Sequence, residues 1–342
     1  MRLPLKPPFP PMEAESVDTI PIGHDWQYEP KWDGFRCLAF RDGAEIFLQS
    51  KAGQPLARYF PDIAEALLRL PEKKFVVDGE LVIEIDGRLS FDELQLRLHP
   101  AASRVNKLAA AHPATFILFD FLADEGGMSL INTPLSKRRR MLEKFAKQNL
   151  KRNRAVRLSP ATTSLAQANR WFAKAGGNLD GIVAKQLDAS YASGERTAVV
   201  KVKNIRTADC VIGGFRYATG AKVIGSLLLG LYDDAGLLHH VGFTSAFKAS
   251  DRRALTKKFE ALRKAPGFTG NAPGGPSRWS TERTGEWEPV EPKIVVEVTY
   301  DHFTGGRFRH GTKIVRWRPD KAPRQCTLDQ VAHREGRAIT LL

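Results

Sequence analysis

An α+β protein of two domains is the fold this sequence predicts: a mixed first domain built on antiparallel sheet, then a small second domain made mostly of strands. Three observations predict it. A chain of 342 residues is long enough to bury two hydrophobic cores. Over the first two hundred residues, short strand patterns between turn signals alternate with helical periods, whereas strands dominate after Lys203. The boundary is expected between Asn204 and Thr207, giving domains of residues 1–205 and 206–342.

The elements follow in order. Pro4, Pro7, Pro8, Pro10 and Pro11 stiffen the first residues into an extended arm that neither forms a helix nor joins a central strand, and the arm is expected to pack across the surface. Asp42-Gly43 separates CLAF from EIFLQ and Asp86-Gly87 follows FVVDGELVIEI, two signals for antiparallel hairpins. Helical periods run through PDIAEALLRL, through LSKRRRMLEKFAK with Met141, Leu142 and Phe145 on one face, and through SLAQANRWFAKA. The last opens with a Ser164/Gln167 capping box and stops at Gly176-Gly177. Beyond the boundary come CVIGGF, SLLLGLY, LLHHVGF, KIVVEVTY and KIVRWR, with the helical SDRRALTKKFEALRK between the third and fourth. Five strands with one helix so placed suggest a small OB-type barrel, and the Gly/Pro-rich APGFTGNAPGGPSRWS reads as an irregular loop.

Composition narrows the function. No apolar run approaches the eighteen or so residues of a membrane span, and MRLPLKPPFPPMEAES lacks the continuous apolar stretch of a secretory signal, so a cytoplasmic protein is expected. Cys37, Cys210 and Cys326 are scattered without a Cys-x-x-Cys pair, which argues against a zinc knuckle or a disulfide framework. With 52 Lys and Arg against 38 Asp and Glu, the formal charge is +14. Such an excess attracts a polyanion by counterion release, and nucleic acid is the partner it indicates.

The residues that carry chemistry form an ordered set. EPKWDGFR at residues 29 to 36 is followed by Ser50-Lys51-Ala52-Gly53, Asp78-Gly79-Glu80, Phe119-Asp120, Asp180-Gly181-Ile182-Val183-Ala184-Lys185, Lys201-Val202-Lys203 and Arg318-Pro319-Asp320-Lys321. Of these elements taken alone, the KWDG stretch and the Asp-Gly and Gly-Glu pairs read as surface turns, and Lys201-Val202-Lys203 as an exposed strand face. Seven in this order resemble the covalent nucleotidyltransferases, the superfamily of ATP-dependent DNA ligases, RNA ligases and mRNA capping enzymes. The wording EPKWDGFR, VVDGEL and RPDK is most similar to bacterial DNA ligases of the ligase C and ligase D type, and the likeness spans Tyr28 to Lys321.

The resemblance implies an antiparallel-sheet nucleotidyltransferase domain followed by an OB-fold domain, and it assigns roles. Lys31 is implied as the nucleophile that takes AMP from ATP. An ordinary lysine of pKa about 10.4 is neutral in only about 0.1% of molecules near neutral pH, a cost of roughly 4 kcal/mol. Neighbouring cations lower that cost, and Lys185, Lys203 and a bound metal are implied in that part. Glu80 and Asp180 are suited to Mg²⁺ or Mn²⁺, hard ions that prefer oxygen ligands; the family usually has glutamate where Asp180 stands. Glu80 is also implied near the ribose, the backbone of Glu29 and Pro30 at the adenine edge, and Phe119 stacked on the base. Taken alone, Phe119 in TFILFDF reads as core. Arg36 and Lys51 are implied at sugar or phosphate. Lys201 and Lys203, two apart on a strand, present to one face and reach one phosphate, while Val199 replaces an aromatic common in the family. Arg318, Asp320 and Lys321 are implied to grip pyrophosphate when the second domain swings over the first, with the segment after Lys203 as hinge.

The expected reaction is ATP-dependent sealing of nicked double-stranded DNA in repair, by a monomer that a DNA-end-binding protein or a repair polymerase recruits. Two other readings remain at this stage. An RNA ligase or capping guanylyltransferase would share Lys31, Glu80, Asp180 and Lys203, and a noncatalytic OB-containing DNA-binding module would form no covalent adduct.

Overall fold

The computed structural model describes residues 1–151, 153–173, 179–274 and 286–332. These divide into two compact units, one running to Asn204 and the other starting at Ile205.

The first unit is built on two sheets. In the larger, strands Glu45–Ser50, Phe35–Asp42, Lys74–Ile85, Ala114–Ala123 and Val156–Leu158 lie side by side in that order, and the short Arg88–Leu89 pairs with the end of Lys74–Ile85. Neighbours are antiparallel except Val156–Leu158, which runs parallel to Ala114–Ala123. Both expected hairpins form at Asp42-Gly43 and Asp86-Gly87, where positive φ at Gly43, Asp86 and Gly87 closes the turns.

Strand periodicity separates the faces of this sheet. Cys37, Ala39, Phe75, Val77, Leu81, Phe116 and Leu118 join Ile63 and Leu67 of helix Pro61–Leu68 and Leu142 and Phe145 of helix Leu135–Asn149 in one core. Alternate residues Leu38, Phe40, Val76, Val82 and Ile117 belong to two other cores on the opposite face. The helices Phe91–Arg97 and Ala102–Ala111 had no counterpart among the sequence patterns. The first is capped by Ser90, whose hydroxyl accepts the Glu93 N–H; the second starts without a side-chain cap.

The smaller sheet has the order Glu15–Ser16, Val199–Lys203, Leu179–Gln186, Trp26–Trp32. Pro30 is accommodated because Trp26–Trp32 is an edge strand, where a missing donor breaks no ladder. Helix Leu165–Ala173 covers one face through Ala168 and Trp171, and the Gln167 N–H bonds to the Ser164 hydroxyl as expected of its cap. The predicted stop at Gly176-Gly177 lies outside the described residues. The proline arm does pack: Leu3, Leu5 and Met12 are buried against Leu38, Phe40, Tyr191 and Val199. It also enters the sheet just beyond the prolines, where Glu15–Ser16 runs parallel to Val200 and Lys201 at the edge.

In the second unit, Arg206–Tyr217, Ile224–Tyr232, Leu238–Ala246, Thr312–Trp317 and Val295–Tyr300 pair in that order, and the last pairs back to the first. The circuit of hydrogen bonds closes, and only the Leu238–Ala246/Thr312–Trp317 pair is parallel. Helix Arg252–Glu260 follows the third strand in sequence and buries Phe259 in a core with Phe215, Leu227, Leu229 and Val296. The predicted loop from Ala265 carries no helix or strand up to Gly274; the rest of it lies outside the described residues.

Candidate active site

A cleft of about 860 Å³, open solvent at its mouth included, lies in the first unit. The face of the large sheet that carries Leu38, Val76 and Ile117 contributes Arg36, Glu80 and Phe119 by the same two-residue period. From the smaller sheet come Glu29, Lys31, Val183, Lys185, Val199 and Lys201, again alternate residues of their strands. Pro30, Trp32, Asp120, Lys51 and residues Pro11 to Ala14 of the proline arm complete the lining. Nine of the residues singled out in the sequence thus converge on one cavity: Glu29, Pro30, Lys31, Arg36, Lys51, Glu80, Phe119, Lys185 and Lys201. Lys203 and Asp180 stand next to it, on strands whose Gly181 is the Cα partner of both Lys31 and Lys203. Gly181 itself is obligatory, since its φ of +146° is hostile to a side chain and an added Cβ would overlap the Val202 carbonyl oxygen.

At the centre, the Lys31 ammonium donates a hydrogen bond to Asp180 Oδ2, an ion pair whose carboxylate is almost fully buried. Burial pushes the Glu80 carboxyl up to about 7, against the pull of Lys31 and Arg36. Burial likewise lowers the Lys201 ammonium from its ordinary value, helped by the charges of Lys31, Lys51, Lys203 and Arg196. These cations therefore share one electrostatic environment, the arrangement a polyphosphate would neutralise.

Several expected residues have partners that their sequence motifs did not reveal. Lys185 pairs with the buried Glu29 carboxylate at 2.9 Å and donates to the Phe119 carbonyl at 3.2 Å, while Gln27 donates to Glu29 at 2.7 Å. Arg36 lines the cleft and is held bidentately by Asp78 at 2.5 and 2.6 Å. Asp78 also accepts from the Tyr191 hydroxyl at 2.5 Å, and that hydroxyl accepts the Met12 N–H at 3.0 Å. Phe119 is half-buried, neither a closed core residue nor fully open, and Arg36 and Lys185 each sit 4.6 Å from its ring centre. Lys51 is tied to Glu13 at 3.2 Å, and Glu13 also takes Arg196 at 2.7 Å.

Sequence reasoning missed Asp78, Tyr191, Arg196 and the arm residues. Asp78 lies inside the VVDGEL motif, and its signal was a carboxylate directly after the apolar run Phe75-Val76-Val77; nothing in the local sequence of Met12 or Tyr191 announced their meeting, 179 residues apart.

The second unit holds the other expected group. Arg318 donates to Asp209 at 2.9 and 3.1 Å and to Asp320 at 2.8 to 3.2 Å, and Lys321 donates to the same Asp209 at 2.8 Å. Asp320 is exposed and its carboxyl is held at about 2, chiefly by the hydrogen bonds from Arg318.

Among the described residues no three His, Cys, Asp or Glu side chains form a ready metal cage. Mg²⁺ does not require one, since it takes one or two carboxylates and completes its shell with waters and substrate phosphates. Glu80 and Asp180, both close to Lys31, fit that demand. No helix of the described residues is long and apolar enough to cross a membrane.

The family model of the ATP dependent DNA ligase domain matches residues 11–203, and that of the ATP dependent DNA ligase C terminal region matches residues 220–321. The chain is 45% identical to DNA ligase C2 of Mycolicibacterium smegmatis and 40% identical to DNA ligase C of Mycobacterium tuberculosis, in each case over 97% of this chain and 96% of the relative. A solved structure from a structure–function study of Lig E DNA ligases covers 90% of this chain and 99% of its own, with a TM-score of 0.58 at 18% identity, a likeness of fold. Full-length similarity to two ligases C, joined to both family models, makes this chain a member of the ATP-dependent DNA ligases of the bacterial ligase C type, enzymes that seal nicks in duplex DNA.

Proposed function

We propose that nick sealing by this chain runs through a lysyl-AMP on Lys31. The observation that supports it is the position of Lys31, in the cleft among Lys201, Lys51 and Glu80 and bonded to Asp180. In the first step the Lys31 nitrogen, once released from Asp180 and deprotonated, bonds to the α-phosphorus of ATP and the bond to pyrophosphate breaks. In the second, a 5′-phosphate oxygen at the nick takes the adenylyl group and Lys31 leaves. In the third, the 3′-hydroxyl attacks the phosphorus of that 5′-phosphate, the phosphodiester forms and AMP departs with the anhydride oxygen.

Each assigned side chain has a part in holding these groups. Glu29 and Pro30 present backbone at the base, with Phe119 against its face. Arg36, fixed by Asp78, and Lys51 face sugar and phosphate, and Lys185, Lys201 and Lys203 offset phosphate charge. Glu80 and Asp180 would hold Mg²⁺ or Mn²⁺, which supplies charge neutralisation at the phosphoryl oxygens. Arg318, Asp320 and Lys321 act on the pyrophosphate, an assignment that requires the second unit to approach the nucleotide in the first step. The closed circuit of five strands in that unit we assign to an OB-fold. The protein works as a monomer at the nucleoid, where a DNA-end-binding protein or a repair polymerase brings it to nicks.

Mass spectrometry of the intact chain after ATP and Mg²⁺ tests the reading. Wild type gains one AMP and loses it when nicked DNA is added, and Lys31→Ala gains none. An adduct on Lys31→Ala as strong as on wild type would overturn the assignment.

A further inference from the structure

Asp209 lies on strand Arg206–Tyr217 between buried Ala208 and Cys210 and is itself almost fully buried. An aspartate in such a place costs free energy unless it is paired, and here it is paired twice. Its carboxylate takes two hydrogen bonds from the Arg318 guanidinium and one at 2.8 Å from the Lys321 ammonium. Its backbone is clamped as well: the Gln330 side chain accepts the Asp209 N–H at 3.0 Å and donates to the Asp209 carbonyl at 3.1 Å. The Lys321 N–H closes a turn back to the Arg318 carbonyl at 3.2 Å, so both cations project from one tight turn onto one carboxylate.

Two cations three residues apart repel each other and, on long side chains, lose rotamer freedom when held together. A shared anion removes both difficulties. We propose that Asp209 is a positioning residue of the first chemical step, holding Arg318 and Lys321 at a fixed separation as a paired grip for the two phosphoryl groups of the pyrophosphate leaving group. The inference rests on the reading of Arg318 and Lys321 given above. It predicts that Asp209 matters when pyrophosphate leaves or returns and hardly at all after AMP has reached the DNA. Asp209 touches no reacting atom; it acts through the two cations.

The test uses the full-length chain and three readouts: the rate of lysyl-AMP formation, inhibition of that reaction by added pyrophosphate, and sealing of nicks that already carry 5′-AMP. For Asp209→Asn we expect adenylation slowed by about tenfold or more and pyrophosphate inhibition weakened to a similar degree, with pre-adenylated nicks sealed within about threefold of wild type. Asp209→Glu, which keeps the charge, should recover part of the adenylation rate. Equal slowing by Asn and Glu, or adenylation by Asp209→Asn at the wild-type rate, would overturn the proposal. Equal loss on both substrates with a lowered melting temperature would also overturn it, by assigning Asp209 to the fold. Arg318→Ala and Lys321→Ala separate the two levels of inference. If both adenylate normally, the pyrophosphate reading itself fails; if both are slow while Asp209→Asn is normal, only the role of Asp209 fails.

Discussion

The Lys31 ammonium is bonded to the Asp180 carboxylate across the seam between strands Trp26–Trp32 and Leu179–Gln186. The side chain proposed as nucleophile is thus held by a buried anion that fixes its place and must release it before attack. Asp180→Ala should slow lysyl-AMP formation by about a hundredfold, the loss expected when a reacting group is no longer held in line. Asp180→Glu, which restores the carboxylate, should keep at least about a tenth of the wild-type rate. Single-turnover labelling with ATP measures both, and an unimpaired Asp180→Ala would show that the ion pair is incidental.

Tyr191 joins the cleft to the proline arm, since its hydroxyl donates to Asp78 at 2.5 Å and accepts the Met12 N–H at 3.0 Å. Tyr191→Phe leaves a buried N–H and a carboxylate each short of a partner, which should cost about 1–3 kcal/mol of stability. Because Asp78 orients Arg36 and Met12 lines the cleft, KM for ATP should rise severalfold with a smaller change in kcat. Urea unfolding and steady-state adenylation check the two halves separately.

The excess of 14 positive charges predicts that affinity for nicked duplex rests on phosphate contacts. If about six phosphates are neutralised, affinity should fall on the order of a thousandfold between about 50 and 200 mM salt, with little dependence on base sequence. Binding titrations at several ionic strengths with two unrelated duplexes decide it, and a flat salt response would contradict the phosphate model.

His240 supplies a pH dependence in the second unit. Burial, together with the charges of Arg307 and Arg216, brings its pKa down to about 3 from the ordinary 6.5. Above the unfolded value both states hold it neutral and the folded state loses nothing. As pH falls below 6.5, the unfolded chain takes up a proton that the folded chain refuses, so stability drops progressively until pH reaches the folded value. His240→Phe, which keeps a ring against Phe268, should abolish that component. Urea midpoints of the two proteins at about pH 7.5, 6 and 5 should therefore shift in favour of the variant on acidification; parallel curves would exclude the histidine as the cause.

Much of the architecture was legible because period and punctuation were strong. Asp42-Gly43 and Asp86-Gly87 fixed two hairpins, and the five strands of the second unit appeared with their helix in the expected place. The helices Phe91–Arg97 and Ala102–Ala111 escaped because they are short and bury few residues, Leu94 and Arg97 in one and Val105 in the other, too few to mark an apolar stripe. At the site, motif order singled out the cleft residues, but motif order carries no information on partners. That Glu29 pairs with Lys185, or that Asp209 gathers Arg318 and Lys321, depends on strand register and on turns joining distant residues.

The participation of Pro11 to Ala14 in the cleft wall bears on how the unit is assembled. The arm is made well before some of its partners: Leu38, Phe40 and Gln49 follow it soon, but the Glu195 carbonyl and the strand at Val200 and Lys201 come nearly two hundred residues later. Closing so long a loop is slow and comes late in folding. A nascent chain that ends before Val200 carries Lys31 without the arm paired along that edge, so the competence to take up nucleotide arises at one stroke, when the arm meets the last strand of its unit.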